Sequence, residues 1–195
     1  MREKKPLSLM IIIFTLSLFC SYHIYYHFAD VTNGDLVKTY YKKNEEETKS
    51  QSIVKKMNLN NEEQYLGILS IPKINLKTGF YNINSKNNNV NSSVTLLRES
   101  IMPDKDGSII YLAAHSGSGY LAYFKDLDKL SEGDIISISY NRKDYQYIIN
   151  NIYEMPKTGE IAVNHNINEK CLILTTCSKN KNMQIIVFAK MLNQI

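Results

Sequence analysis

The feature that most constrains this chain is a long apolar run near its amino end. The run extends from Leu7 to Phe28 and follows a basic start that contains Arg2, Lys4 and Lys5. As an α-helix at ~1.5 Å per residue it would extend about 33 Å, enough to cross the ~30 Å hydrocarbon core of a bilayer. We therefore expect a transmembrane helix, which leaves the rest of the chain to fold in water.

The flanks of the run predict its orientation. Basic residues before it stay cytoplasmic by the positive-inside rule, and Tyr22, Tyr25 and Tyr26 lie where an interfacial aromatic belt would be. A cleaved signal peptide is the alternative, but the run is long and no A-x-A-like site follows it. We expect a single-pass anchor in the cell membrane, in contact with lipid, and an extracellular carboxyl-terminal domain.

The remaining chain divides by composition. We assign residues 1–29 to the basic end and anchor, residues 30–64 to a polar extracellular stalk, and residues 65–195 to a folded catalytic domain. The formal net charge is only +4 and the lysines are scattered. This distribution gives no basic stripe, so nucleic acid is not an expected partner.

Short apolar segments separated by turn signals predict the fold of the domain. "SIIYLAAHS" and "KCLILTTC" are almost continuously apolar, as strands buried on both faces are. "YLAYFKDLDKL" has apolar residues at helical spacing. The pattern predicts a mostly-β barrel or sandwich with one or two short helices.

Two residues combine chemical reactivity with a position at the end of a predicted strand. His115 and Cys177 each close an apolar strand and each precede small polar residues. A strand end fixes a reactive atom while the following loop leaves it accessible. A thiolate and an imidazole are the minimum for acyl transfer through a thioester. Each residue could equally be structural, since a lone cysteine at a strand end usually acts as a small hydrophobe.

The other cysteines and histidines form no recognisable site. On one strand, Cys171 and Cys177 would lie roughly 20 Å apart, too far for a disulfide. Cys20 falls within the anchor, and His23, His27 and His165 show no metal-ligand spacing with Cys171. We therefore expect no disulfide, metal or cofactor, and a free Cys177 thiol outside the cell.

Several motifs together resemble the sortase family. "IIYLAAHSGSGYLAYFKDLDKLSEGDII" is followed by "LILTTCS" and "IIVFAK", and "LGILSIPKINL", "MPDKDGS" and "YEMPKTG" also resemble family stretches. The resemblance covers about residues 65 to 192 and is nearest to the compact class D-like sortases. It implies a closed eight-stranded sortase-type β-barrel, with Cys177 as nucleophile and His115 as acid/base.

The resemblance also implies the reaction and its partners. Cys177 would cleave surface proteins at an LPxTG-like sorting signal, and an amine of a peptidoglycan precursor or a pilin would accept the acyl group. Some sortases bind calcium near the substrate groove, but no such site can be assigned here.

One position departs from the family pattern. Sortases usually carry an arginine about where this chain has Gln184, and that side chain is thought to hold the substrate or its oxyanion. Gln184 can donate a hydrogen bond but has no charge. It is our candidate oxyanion or substrate donor. Lys179, Lys181, Arg98 or Arg142 could supply the charge, although Arg142 falls in a predicted hairpin turn.

Two alternatives to an active sortase remain. An L,D-transpeptidase would also be an exterior β protein with a cysteine and a histidine, but its cysteine typically follows an "SxGC"-like turn and Cys177 follows "LTT". A sortase-fold binding or scaffolding module that lost activity with the arginine is the other alternative.

Overall fold

The computed structural model describes residues 7–49, 64–161, 163, 166 and 168–192. The basic residues at the amino end, residues 50–63 of the predicted stalk, and His165 lie outside the described residues. Helix α1 (Leu7–Lys49) comes first, and its span Met10–Asn44 has the length and composition of a membrane-crossing helix. Its apolar side chains between Met10 and Tyr25 are exposed, as expected for contact with lipid.

In the part of the chain that the structure describes, eight strands and two short 3₁₀ helices follow α1. The strands are β1 (Gly67–Ile71), β2 (Leu76–Phe80), β3 (Thr95–Leu96), β4 (Ile109–Ala113), β5 (Ile135–Tyr140), β6 (Lys143–Pro156), β7 (Cys171–Cys177) and β8 (Met183–Met191). The 3₁₀ helices are Pro72–Ile74 and Leu127–Lys129.

The strands form one nearly closed barrel. The sheet order is β2-β1-β5-β6-β8-β7-β4-β3, and a bridge between Phe80 and Val94 brings its two edges together. Strand β4 pairs with β7 in parallel, while the other neighbouring strands pair antiparallel. The barrel with two short helices after an apolar amino-terminal helix confirms the predicted fold class.

The continuously apolar strands are buried on both faces. Leu112 and Leu174 point into the barrel core, while Ile173 and Ile186 belong to a second cluster on its outside. We call this second cluster the outer apolar cluster. Its buried members are Ile109, Cys171, Ile173, Ile186 and Phe188, and Tyr111, Tyr153, Met155, Ile161 and Val163 pack against it.

Helix α1 continues beyond the apolar run and contacts the barrel. Asn33 donates through Nδ2 to the Lys77 carbonyl at 3.2 Å, and the Tyr40 hydroxyl donates to the Ser139 carbonyl at 3.0 Å. Residues 30–49 of the predicted stalk are therefore helical. The domain boundaries after residues 29 and 64 stay predictions.

Candidate functional site

Cys177 is the last residue of β7. Residues 171–176 are buried, whereas Cys177 itself is half-buried. The Thr176 hydroxyl donates to the Ala114 carbonyl at 2.7 Å, which ties the end of β7 to the end of β4. The cysteine therefore lies on a fixed strand end with its sulfur accessible, as the sequence predicted.

His115 lies two residues beyond the end of the neighbouring parallel strand β4. Ala113 pairs with Thr175, and the Ala114 N–H continues the ladder by donating to the Thr175 carbonyl at 3.3 Å. The same register, continued past Ala113, would bring His115 alongside Cys177. The His115 carbonyl accepts a hydrogen bond from the Phe124 N–H at 3.0 Å, which fixes the two ends of the loop from His115 to Phe124.

The His115 ring is exposed and contacts one polar side chain. Its Nε2 lies 3.2 Å from Oδ1 of Asn91, an exposed residue before β3. If Nε2 carries the proton, it donates to this amide oxygen and leaves the other ring nitrogen as the acceptor. An exposed imidazole at a strand end is free to exchange protons with a bound molecule.

Gln184 is the residue paired with Cys177 across the β7–β8 ladder. Its side chain is only 8% exposed. Its Oε1 accepts from the Thr175 hydroxyl at 3.3 Å, and its Nε2 donates to the carbonyls of Pro156 and Glu160, both at 3.4 Å. Its role as an oxyanion or substrate donor stays a prediction.

Cys177 and Gln184 share one side of the sheet. Side chains alternate along a strand, so Cys177 points to the same face as Ile173, and Gln184 to the same face as Ile186. Both isoleucines belong to the outer apolar cluster. Cys177 and Gln184 therefore lie at the end of this buried apolar cluster, outside the barrel core.

A lysine that the sequence analysis did not single out contacts the sulfur. Nζ of Lys157, the residue after β6, lies 3.1 Å from Sγ of Cys177. The stretch "YEMPKTG" marked this segment as family-like, but the sequence alone could not show that its lysine meets the cysteine. The lysine ammonium is thus a hydrogen-bond donor to the sulfur of the candidate nucleophile.

The other candidate cations lie in different surroundings. Lys179 forms an ion pair with Asp128 at 2.5 Å, and this hydrogen bond lowers the pKa of the Asp128 carboxyl. Arg142 lies in the two-residue turn between β5 and β6, as predicted, with a positive φ of 62°. Arg98 and Lys181 are exposed.

The turn after Cys177 is held by a carboxylate on β6. Glu154 accepts hydrogen bonds from the Ser178 hydroxyl and from Nδ2 of Asn180, both at 2.6 Å. These hydrogen bonds lower the pKa of the Glu154 carboxyl, with the Ser178 bond as the larger cause. The turn that leads from Cys177 to Gln184 is thereby attached to the sheet.

Within the described residues, the three cysteines are free and no three His, Cys, Asp or Glu side chains are grouped as a metal site requires.

Comparisons with known proteins agree with these features. The family model described as "Sortase domain" matches residues 69–192. Sortase A of Bacillus anthracis is 25% identical over 126 residues, which are 64% of this chain and 59% of that protein. The match thus spans less than two thirds of that relative.

Two solved structures show the likeness in fold. A sortase D5 transpeptidase of Clostridium perfringens has a TM-score of 0.63 at 22% identity, covering 83% of this chain and 98% of that chain. Sortase C of Streptococcus pneumoniae has a TM-score of 0.58 at 20% identity, covering 68% of this chain and 70% of that chain.

Proposed function

Because this chain belongs to the sortase family, we propose that it is a membrane-anchored cysteine transpeptidase of the cell surface. One observation carries the proposal. Cys177 ends β7 with an ammonium group 3.1 Å from its sulfur, and the parallel β4–β7 register, continued two residues past Ala113, would bring His115 alongside it. A nucleophile and an acid/base on rigid neighbouring strands are what acyl transfer needs.

The proposed first step forms a thioester. The thiolate of Cys177 attacks the threonine carbonyl carbon of an LPxTG-like signal. The C–S bond forms as the carbonyl electrons move to oxygen. When this intermediate collapses, the C–N bond breaks. The amine leaves with a proton from the His115 imidazolium.

The proposed second step reverses these roles. An amine attacks the thioester carbonyl, and His115 takes the proton that this amine loses. The new amide forms as the C–S bond breaks and Cys177 leaves as thiolate. We propose an amine of a peptidoglycan precursor or of a pilin as acceptor; the pneumococcal sortase C of similar fold is described by its pilin substrate specificity.

The membrane arrangement supports this assignment. Helix α1 has the composition of a membrane span. A cytoplasmic amino end and an extracellular barrel would expose Cys177 to surface proteins held in the same membrane.

The test uses the full-length chain in detergent micelles with a panel of quenched LPxTG-type peptides. Cys177→Ala should abolish cleavage and His115→Ala should lower kcat/KM by roughly 10²–10⁴-fold. Cys20→Ala, which removes a thiol in the anchor, is the matched control and should cleave as the wild type does. A thioester adduct on Cys177 by mass spectrometry, released by an added amine, identifies a transpeptidase.

A binding module is the second candidate, favoured by the neutral Gln184 opposite Cys177. If the folded wild-type chain binds the peptides but neither cleaves them nor forms an adduct, the protein is a binding module and not an enzyme.

A further inference from the structure

The contact between Lys157 and Cys177 joins two different parts of the chain. Lys157 follows β6 and Cys177 ends β7, and strand β8 lies between these two strands in the sheet. The ammonium of Lys157 must therefore extend past β8 to reach the sulfur at 3.1 Å. The residue of β8 at this level is Gln184, which pairs with Met155 on one side and with Cys177 on the other.

The backbone of Lys157 is fixed although its side chain is exposed. Its N–H donates to the Asn182 carbonyl at 2.8 Å, directly after Pro156 pairs with Met183. The Thr158 N–H then donates to the Pro156 carbonyl at 3.0 Å. The backbone of Lys157 is thus fixed at the end of β6, so its Cα has a defined position relative to β8.

The side chain of Gln184 holds the segment that carries this lysine. Its Nε2 bonds to the carbonyls of Pro156 and Glu160, which bracket Lys157 on both sides. The Thr175 hydroxyl, which is buried, holds its Oε1 from the other side. In this arrangement the donors of Gln184 are used by the backbone of the β6–β7 connection.

We propose that Lys157 supplies the positive charge for the reaction at Cys177, and that Gln184 is a positioning residue that holds the Lys157 segment over β8. The inference rests on the proposed function. Because Gln184, the residue opposite the nucleophile, is neutral, the positive charge at the site comes from Lys157. The charge stabilises the thiolate before attack, and it lies beside the sulfur when negative charge moves to the substrate oxygen. Lys179, in contrast, is paired with Asp128.

The first experiment measures two quantities on the full-length chain in detergent micelles. One is kcat/KM for cleavage of a quenched LPxTG-type peptide, and the other is the rate at which iodoacetamide alkylates Cys177 at pH 7 without peptide. Lys157→Met should lower both by roughly fivefold, since the pair is exposed and screened by solvent. Lys157→Arg should keep most of both values.

Two further lysines make the result specific. Lys143→Met changes an exposed lysine at the opposite end of β6 and should leave both rates within about twofold of wild type. Lys179→Met tests the rival cation in the turn after Cys177. Unchanged alkylation in Lys157→Met, or a loss found only in Lys179→Met, would overturn the assignment. Alkylation needs no peptide, so it tests Lys157 even if no peptide in the panel is cleaved.

The role of Gln184 is tested by a double-mutant cycle. Gln184→Met keeps a similar volume but has no amide donors, so it should release the Lys157 segment. As a single substitution it should lower the alkylation rate of Cys177 several-fold. In the Lys157→Met background the same change should have no further effect, because the two residues act through one contact. Additive losses would show that Gln184 acts independently of Lys157 and would reject the positioning role.

Discussion

At the scale of single residues, the two thiols of β7 differ in their surroundings although they share one strand. Cys171 is fully buried in the outer apolar cluster, and burial raises the pKa of its thiol to about 11. Cys177 is half-buried and contacts the ammonium of Lys157. The same side chain is thus a core residue at one end of the strand and a candidate nucleophile at the other.

This contrast predicts selective alkylation. With a pKa of about 11, only roughly one Cys171 thiol in 10⁴ is ionised at pH 7, so iodoacetamide should modify Cys177 and leave Cys171 unmodified. Peptide mass spectrometry on the folded full-length chain measures both sites at once. Denatured protein is the control, in which both thiols should react. Similar rates for the two thiols in folded protein would contradict the burial of Cys171.

At the scale of elements, the turn between β7 and β8 depends on an ionised carboxylate. The hydrogen bonds from Ser178 and Asn180 lower the pKa of Glu154 below its usual value of about 4.3. Their stabilising contribution should therefore be complete above about pH 4.3 and be lost as the pH falls through the lowered folded value. Protonation of Glu154 weakens the attachment of the turn that follows Cys177.

The measurement compares the melting temperatures of the wild type and Glu154→Gln between pH 7 and pH 3. Wild type should be the more stable protein at pH 7, and the difference should shrink toward the acid end as Glu154 becomes protonated. A constant difference across this range would show that the Glu154 charge does not hold the turn.

Most elements of the barrel could be predicted because their burial follows from local sequence. Strands β4, β7 and β8 are mostly apolar, and most of their residues are buried. The segment "YLAYFKDLDKL" contains one of the predicted short helices, and this helix is of the 3₁₀ type. Phe124, Leu127 and Leu130 recur every third residue, and they enter the core from successive tight turns and one 3₁₀ helix.

The candidate site was only partly visible in the sequence. His115 and Cys177 could be named because each follows an apolar run, although β4 itself ends two residues before His115. The contact of Lys157 with Cys177 depends on the order β6-β8-β7 in the sheet, which places the end of β6 and the end of β7 on either side of β8. The amide contacts of Gln184 likewise depend on the path of the β6–β7 connection. No local sequence pattern predicts either of these two contacts.

At the scale of the whole molecule, helix α1 and the barrel contact each other over several helical turns. The Tyr26 hydroxyl donates to the Ser118 carbonyl at 2.9 Å, in the loop that follows His115. Further along, Asn33 accepts a hydrogen bond from the Tyr65 hydroxyl at 3.0 Å, and Tyr41 contacts Oγ of Ser139 at 3.2 Å. With the first half of α1 in a membrane, these contacts would hold the barrel, and the His115 loop with it, close to the membrane surface.

Asn33 is the position at which this docking is best tested. Its side chain donates to the Lys77 carbonyl and accepts from the hydroxyls of Tyr65 and Thr78, so Asn33→Ala removes three hydrogen bonds between helix and barrel. Alanine also has the higher intrinsic helix propensity, so a helix standing free in water should gain order from this change. Docking and propensity therefore predict opposite results.

We expect Asn33→Ala to speed hydrogen exchange in residues 33–44 by several-fold while leaving β5 and β6 unchanged, measured on the full-length chain in lipid nanodiscs. Asp35→Ala is the matched control, because Asp35 lies on the exposed side of the helix in an exposed ion pair with Lys38. It gains the same propensity without losing a barrel contact, so its exchange should slow or stay the same. Slower exchange in both variants would mean that the helix stands away from the barrel, as a stalk would.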